Sequence, residues 1–331
     1  MQETAWAKVN LSLSILGKRD DGYHQLESLV VFAGLGDGLT LLGGGSPLGT
    51  IPSETFPLGM KPLEIGPSKE LPFQLKVTGP EAQNIEGANL VETVGLKLID
   101  EFSSISNHTV SIGSVNLDKL LPVAAGIGGG SADAAALIRL FCRLMIEQDV
   151  DVSKFNSLTF ASRFGADIPV CVNSEPALMH GVGELVEPIG AFPSIGLLLV
   201  NPRISVPTGL VFEALNAKEY KEKTTSQNIL HNRHNFDFHS IGEVIDYMQT
   251  APNDLLKPAL KIAPKISDVL AEISLLDRCL ISRLSGSGAT CFGLFETEDE
   301  ARRAGKYLKM RYPKWWIEGT FIRPSIVAVE E

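Results

Sequence analysis

Residues 121–136 read Leu121-Pro122-Val123-Ala124-Ala125-Gly126-Ile127-Gly128-Gly129-Gly130-Ser131-Ala132-Asp133-Ala134-Ala135-Ala136, and this stretch decides how the chain is read. Four glycines run directly into a segment of helical composition. Ser131 is the expected N-cap, with residues 132–147 as the helix. A glycine-rich loop feeding a helix N-terminus is an anion site. Without Cβ atoms its N–H groups approach a phosphate closely, and the helix dipole favours negative charge. Two common labels do not fit. A P-loop needs Lys and then Ser or Thr after its last glycine, and here Gly130 is followed by Ser131 and Ala132. A dinucleotide fingerprint that begins at Gly126 and Gly128 would need a glycine where Ser131 stands. The plain alternative is a tight turn that lets a helix pack closely.

Outward from the loop, strands and helices mix without regular alternation, which predicts an α+β protein. Residues 4–16 alternate as a strand, with Ala5, Ala7, Val9, Leu11, Leu13 and Ile15 on one face and Lys8, Asn10, Ser12 and Ser14 on the other. A second strand is expected near residues 25–33. Helices are expected over 89–102, 153–164, 207–215, 241–250, 257–274 and 298–309, and strands over 110–115, 195–200, 280–284, 290–295 and 315–322. Residues 43–72 are rich in Gly and Pro and read as a loop insertion. Its run Gly43-Gly44-Gly45 leads into no helix and so lacks the phosphate-site context. A boundary at Asn173-Ser174-Glu175-Pro176 divides the chain into residues 1–173 and 174–331.

The bulk numbers narrow the function. The 331 residues are 44% hydrophobic and 21% charged, enough apolar material for two cores. A net charge of −10 argues against general binding of nucleic acid or a membrane surface, though not against an anionic ligand held by a few local cations. The four cysteines, Cys142, Cys171, Cys279 and Cys291, show neither metal spacing nor a disulfide framework. Together with the lack of a signal-like N-terminus or a spanning apolar run, this predicts a cytoplasmic protein, monomeric or homodimeric. His231, His234 and His239 lie in a polar stretch that reads as a solvated loop rather than a metal site. Of the adjacent Trp315 and Trp316, one is expected in the core and the other at an interface.

Two further segments look unusual for pure structure. Lys8-Val9-Asn10 and Gly22-Tyr23-His24 form the first, although a lysine within an alternating strand usually faces solvent. The second is Gly165-Ala166-Asp167-Ile168-Pro169, whose aspartate follows a helix and is as readily a cap or turn residue.

Together these segments resemble the galacto-homoserine-mevalonate-phosphomevalonate (GHMP) kinases. Ala7-Lys8-Val9-Asn10-Leu11 with Asp21-Gly22-Tyr23-His24 resembles the opening motif, residues 121–131 the phosphate motif, and Ser285-Gly286-Ser287-Gly288-Ala289 the third motif. Gly181-Val182-Gly183-Glu184 and Ser205-Val206-Pro207-Thr208 add a likeness to the branch that acts on a cytidine diphosphate sugar alcohol. The resemblance implies a two-domain fold with the active site in the interdomain cleft, and ATP-dependent phosphorylation of a substrate hydroxyl. It places ATP against Pro122, Val123, Ala124, Ala125, Gly126, Ile127, Gly128, Gly129, Gly130, Ser131 and Ala132, with Asn89 and Lys119 near its nucleoside and Mg²⁺ near Ser131. It makes Asp167 the base and Lys8 its neighbour. Tyr23 and Phe212 would sandwich cytosine, His24 would read its edge, and Asn10, Val182 and Thr208 would contact the remaining substrate. For Phe212 a core aromatic, and for Lys119 an exposed lysine, are the plain alternatives. Departures from the family pattern are Trp6, where proline is common, Ala132 in place of a second serine, and Ala124 and Ala125 in place of glycines, so that this part of the loop need not be left-handed. Other readings are a related kinase of mevalonate, homoserine or a sugar, and a silent nucleotide-binding protein. Presence of both Lys8 and Asp167 argues against the latter.

Overall fold

The computed structural model describes residues 1–42, 73–106, 110–215 and 237–325. The expected insertion at residues 43–72, with its glycine run, and His231 and His234 lie outside them. The first expected strand is two strands, β1 (Gln2–Asn10) and β2 (Ser14–Lys18). Both pair antiparallel with β3 (His24–Leu41), which runs eight residues beyond its expected end. The β1–β3 register shifts between Trp6 and Lys8. The shift breaks the simple alternation. Ala5 joins the core that contains Leu98 and Phe141, whereas Ala7 and Val9 join a second core with Leu197, Leu199 and Phe292. Both faces of β1 are therefore covered, and Lys8 and Asn10 are buried rather than solvent-facing.

β3 organises the sheet. It also pairs with β5 (Gly113–Asp118), which lies parallel to β4 (Phe73–Thr78), and with β6 (Ala177–His180), which pairs with β7 (Leu185–Pro188). Thus two strands beyond Asn173 still belong to the β3 side of the sheet. The remainder is antiparallel: β11 (Trp316–Ile322), β8 (Ile195–Asn201), β10 (Cys291–Phe295) and β9 (Ile281–Leu284), in that order. It meets β3 through Ile322 opposite Ala33. Every residue of β8 is buried, as its unbroken apolar run requires.

The helices cover the two ends of this sheet. On the β3 side are α1 (Leu90–Ser106), α2 (Gly129–Glu147), α3 (Ser157–Ser162) and α4 (Ile168–Asn173). A chain of aromatic contacts, Phe102 to Phe141 and to Phe155, then Phe160 and Phe164, knits them together. On the other side are α5 (Thr208–Glu213), α6 (Ile241–Thr250), α7 (Leu256–Ile262), α8 (Lys265–Ser274) and α9 (Glu298–Arg311). The expected helix over 257–274 is interrupted at Ala263-Pro264, as proline dictates. α9 begins with a capping box between Thr297 and Glu300. Trp316 is buried, and Trp315 stacks on Tyr312 with centroids 4.1 Å apart. No helix among the described residues is long and apolar enough to cross a membrane.

Candidate active site

The glycine loop differs from its expected form in two ways. First, α2 begins at Gly129, after a left-handed Gly128 (φ 63°), so Ser131 is the third helical residue and not the N-cap. A glycine cap has no side chain, so the N–H groups of Gly129, Gly130 and Ser131 at the start of this 19-residue helix have neither a side-chain cap nor an intrahelical carbonyl. That is the electrostatic requirement for holding a phosphate. Second, Ala124 is left-handed (φ 51°) despite its Cβ, in a part of the loop that its alanines had suggested need not be so.

The loop is tied down on its carbonyl side. Ala125 accepts from the Thr290 N–H (3.0 Å), Gly126 from Ser285 Oγ (2.9 Å) and Ile127 from the Lys8 N–H (3.0 Å). Gly126 meets the third-motif loop so closely that a Cβ would lie 2.6 Å from the Gly288 oxygen. The first, second and third motifs of the sequence are thus one hydrogen-bonded unit.

Lys8 leaves β1 beside Gly128, where a Cβ would come within 3.2 Å of its Cε. Its ammonium ends 2.8 Å from Asp167 Oδ1. The Lys8 side chain is 4% exposed and that of Asp167 is 42% exposed. Asp167 stands at the N-cap position of α4, yet its side chain makes no cap bond. The alternative of an ordinary capping aspartate therefore has no cap bond behind it: the carboxylate faces a buried ammonium at the mouth of the glycine loop.

A cleft of 490 Å³ gathers Lys8, Asn10, Asp167, Val182, Thr208 and Phe212 with Gly126, Gly128 to Ser131 and Ser287. Thr208 Oγ1 and Ser287 Oγ are hydrogen-bonded at 2.9 Å, linking the start of α5 to the third motif. The Val182 N–H is taken internally by Glu184 Oε2 at 2.6 Å. Phe212 is half-buried against the His24 ring, with centroids 5.3 Å apart at 34°. Burial and then the Lys18 charge hold His24 below the usual histidine pKa. At neutral pH its ring therefore carries one donor and one acceptor, the combination that reads a base edge. Neither Tyr23 nor His24 lines the cleft itself, and Tyr23 is 65% exposed; the ring in contact with Phe212 is that of His24.

An adjoining pocket of 200 Å³ shares Leu90, Ala124, Gly129 and Gly130 with the cleft and continues to Ile85, Asn89, Pro122 and Val123. Asn89 caps α1, its Oδ1 accepting from the Val91 N–H at 2.9 Å. Lys119 borders this pocket but is buried, not exposed, with its ammonium 2.5 Å from Asp37 and 2.6 Å from Asp133. Neither aspartate was singled out in the sequence. Asp37 sits between two glycines of an apolar strand, and Asp133 in an alanine-rich helix, so neither carries a local signal of a charged partner. Glu81 was missed likewise. Buried, it accepts from both terminal guanidinium nitrogens of Arg203 at 2.7 and 3.2 Å and joins the pocket wall to the segment that leads into α5. Its pKa is lowered because Arg203 and Asn84 outweigh burial, the largest single influence.

Behind the Val182 turn, Glu27 on β3 lies near His180 and Glu187, with Tyr247 beyond. Burial, and secondarily Glu187, push its pKa up to about 7. A carboxyl raised on folding contributes stability that is present below its unfolded pKa and lost as pH rises through about 7. Glu27→Gln is therefore expected to flatten the fall in melting temperature between pH 5 and 8 by a few degrees. An unchanged profile in thermal scans would remove Glu27 from this account.

The geometry agrees with the comparisons to known proteins. Residues 89–175 match the GHMP kinases N terminal domain and residues 230–314 the GHMP kinases C terminal model. The 4-diphosphocytidyl-2-C-methyl-D-erythritol kinase of Rhodopseudomonas palustris is 36% identical over 319 residues, covering 96% of each chain. That of Paramagnetospirillum magneticum is 38% identical over 313 residues, 94% of each. A crystal structure of 4-(cytidine 5'-diphospho)-2C-methyl-D-erythritol kinase aligns over 98% of this chain and 100% of its own, with TM-score 0.65 and 26% identity. An L. major mevalonate kinase shares the fold, with TM-score 0.58 and 15% identity, over 98% of this chain and 96% of its own. With near-complete coverage at such identity, and with the glycine loop, Lys8 and Asp167 gathered in one cleft, this chain belongs to the 4-diphosphocytidyl-2-C-methyl-D-erythritol kinases of the GHMP family.

Proposed function

We propose that this protein transfers the γ-phosphoryl group of ATP to the 2-hydroxyl of 4-diphosphocytidyl-2-C-methyl-D-erythritol. The observation that carries the reading is the Lys8–Asp167 pair at 2.8 Å beside the uncapped start of α2. Asp167 takes the proton of the substrate hydroxyl, and the hydroxyl oxygen forms the new bond to the γ-phosphorus. The bond from that phosphorus to the bridging oxygen breaks, and the electron pair leaves with ADP. Such a transfer demands alignment and charge neutralisation more than covalent help. Lys8, itself buried, supplies a fixed positive charge beside the attacking oxygen.

The N–H groups of residues 129–131 hold the phosphates in this scheme, and the second pocket, with Asn89 and Lys119 at its edge, takes the nucleoside of ATP. Among the described residues no group of three His, Cys, Asp or Glu side chains forms a metal cage. This suits Mg²⁺, which keeps water and phosphate oxygens and needs few protein ligands. The half-buried Ser131 hydroxyl at the cleft is the residue that would hold it. When bound, the ion neutralises phosphate charge.

Phe212 and His24 form the cytosine end, where Tyr23 approaches from solvent. Stacking on an aromatic ring is worth about 1–3 kcal/mol per base. Phe212→Ala is expected to raise KM for the cytidyl substrate by about 10- to 100-fold, with KM for ATP nearly unchanged. A rise in both would place Phe212 in the core of the protein instead. The reading as a whole is tested by ADP release with Mg-ATP, comparing the cytidyl substrate with mevalonate, homoserine and galactose. Turnover with one of the other three, and none with the cytidyl compound, would overturn it.

A further inference from the structure

We infer that Ser28 fixes the orientation of the Asn10 amide, so that the cleft presents an acceptor, Asn10 Oδ1, to a hydroxyl of the bound sugar alcohol next to the one attacked. The inference rests on the kinase reading above. Ser28 is a positioning residue and touches no substrate.

Ser28 is fully buried on β3. Its Oγ is 2.5 Å from the Ser12 carbonyl oxygen. A carbonyl only accepts, so the single Ser28 proton is committed to it. Ser28 Oγ can then only accept in its contact with Asn10, at 2.7 Å. Of the two ends of an amide only the NH₂ donates, so Nδ2 must face Ser28 and Oδ1 must face away. The chemistry of the neighbour, rather than the shape of the amide, settles which end is which.

The acceptor is held from several directions. The Asn10 N–H donates to Ser285 Oγ at 3.2 Å, and Ser285 donates to the Gly126 oxygen. Ser12, whose carbonyl sets the chain of bonds, is pinned by the Leu29 N–H (3.0 Å) and by the Tyr247 hydroxyl (3.2 Å). Asn10 Oδ1 points past Gly286, where a Cβ would lie 3.3 Å from it, and Asn10 lines the cleft. Oδ1 has no hydrogen-bond partner among the described residues. A nearly buried acceptor repels phosphate oxygens and selects a donor. Asn10 is two residues beyond Lys8 on one strand, and alternate residues share a face. The donor it meets is therefore a hydroxyl adjacent to the reacting one, at carbon 1 or carbon 3 of the substrate.

Two readouts test this. In the free protein, the Asn10 side-chain NH₂ should be protected from solvent exchange by NMR in the wild type and in Ser28→Thr, and lose protection in Ser28→Ala. In kinetics, removing one of the two neighbouring hydroxyls (the 1-deoxy or the 3-deoxy analogue) should lower wild-type kcat/KM by about tenfold. Ser28→Ala should lower kcat/KM for the full substrate by a similar factor, respond little to the deoxy change, and leave KM for ATP unchanged, while Ser28→Thr restores the wild-type pattern. Ser28→Cys, a weak donor of similar size, replaces the alanine variant if that one does not fold. Wild-type amide exchange in Ser28→Ala, or equal sensitivity of wild type and variant to both analogues, overturns the inference. A protein that ignores the cytidyl substrate but shows the stated change in Asn10 exchange keeps the amide orientation and loses the substrate reading.

Discussion

Asp167→Asn is expected to lower kcat by about 10²- to 10⁴-fold while leaving the protein folded and KM for ATP close to that of the wild type. The amide keeps the size of the carboxylate and can still accept from Lys8, so the pair's 2.8 Å contact loses its charge but not its geometry. It cannot take a proton from a hydroxyl. The position itself separates the two roles that an aspartate could have here. Asp167 precedes α4 but its side chain caps nothing, so the substitution removes no helix cap. It does leave the Lys8 ammonium, 4% exposed, without an anionic neighbour, and some thermal stability goes with it. The measurement is ADP release per folded molecule, with folding followed by circular dichroism. A variant that melts early but turns over normally once folded would make Asp167 structural and would leave the transfer without its base.

The parts of this site that were legible in the sequence are those where local backbone chemistry and function coincide. Gly126 and Gly128 take left-handed conformations, and Gly126 lies against another backbone, both of which demand glycine. The loop was therefore visible, but the rule that places a serine at a helix start put α2 three residues late. Gly128 turns the chain into the helix unaided, and a side-chain cap would have filled the donors that the site leaves open. Alternation alone would turn Lys8 to solvent, against the place beside Asp167 that the family resemblance implies. Alternation assumes one wet face, whereas β1 is covered on both, by cores that change sides at the register shift after Trp6. The contacts that only the fold could reveal are long-range and polar. Lys119 is 82 residues from Asp37, Arg203 is 122 residues from Glu81, and Ser285 is 159 residues from Gly126. Nothing in a window of sequence marks such partners, because each side chain alone reads as an ordinary surface residue.

The buried lysine among these leads to the other large effect. Lys119→Met is expected to destabilise the protein by about 3–5 kcal/mol near neutral pH, read as a shift in the urea unfolding midpoint. Lys119 supplies one positive charge to two carboxylates, Asp37 and Asp133, which are 0% and 3% exposed. Asp37 is additionally held by the N–H groups of Leu120 and Leu121, at 2.6 and 2.7 Å, whereas Asp133 Oδ1 has no partner among the described residues. Burial works against the ammonium, but the two aspartates outweigh it and raise its pKa, so it stays charged across the physiological range. Burial, with Asp37 adding, pushes the Asp133 carboxyl well above the usual carboxylate range despite Lys119. Methionine fills the space of the stem and removes the charge, leaving two acids together in a low dielectric. The sign of the pH dependence follows. A carboxyl whose pKa is raised on folding, as that of Asp133 is, gives stability that is full below its unfolded value of about 3.9 and is lost as pH rises through the folded value. The deficit of the variant should therefore be larger at pH 8 than at pH 5, and adding Asp133→Asn should recover part of it. This experiment also decides what Lys119 is for. If its charge serves the two aspartates, stability falls and any rise in KM for ATP follows from a displaced pocket wall. A variant as stable as the wild type, with only KM for ATP raised, would mean that the ammonium leaves its aspartates to meet the nucleotide.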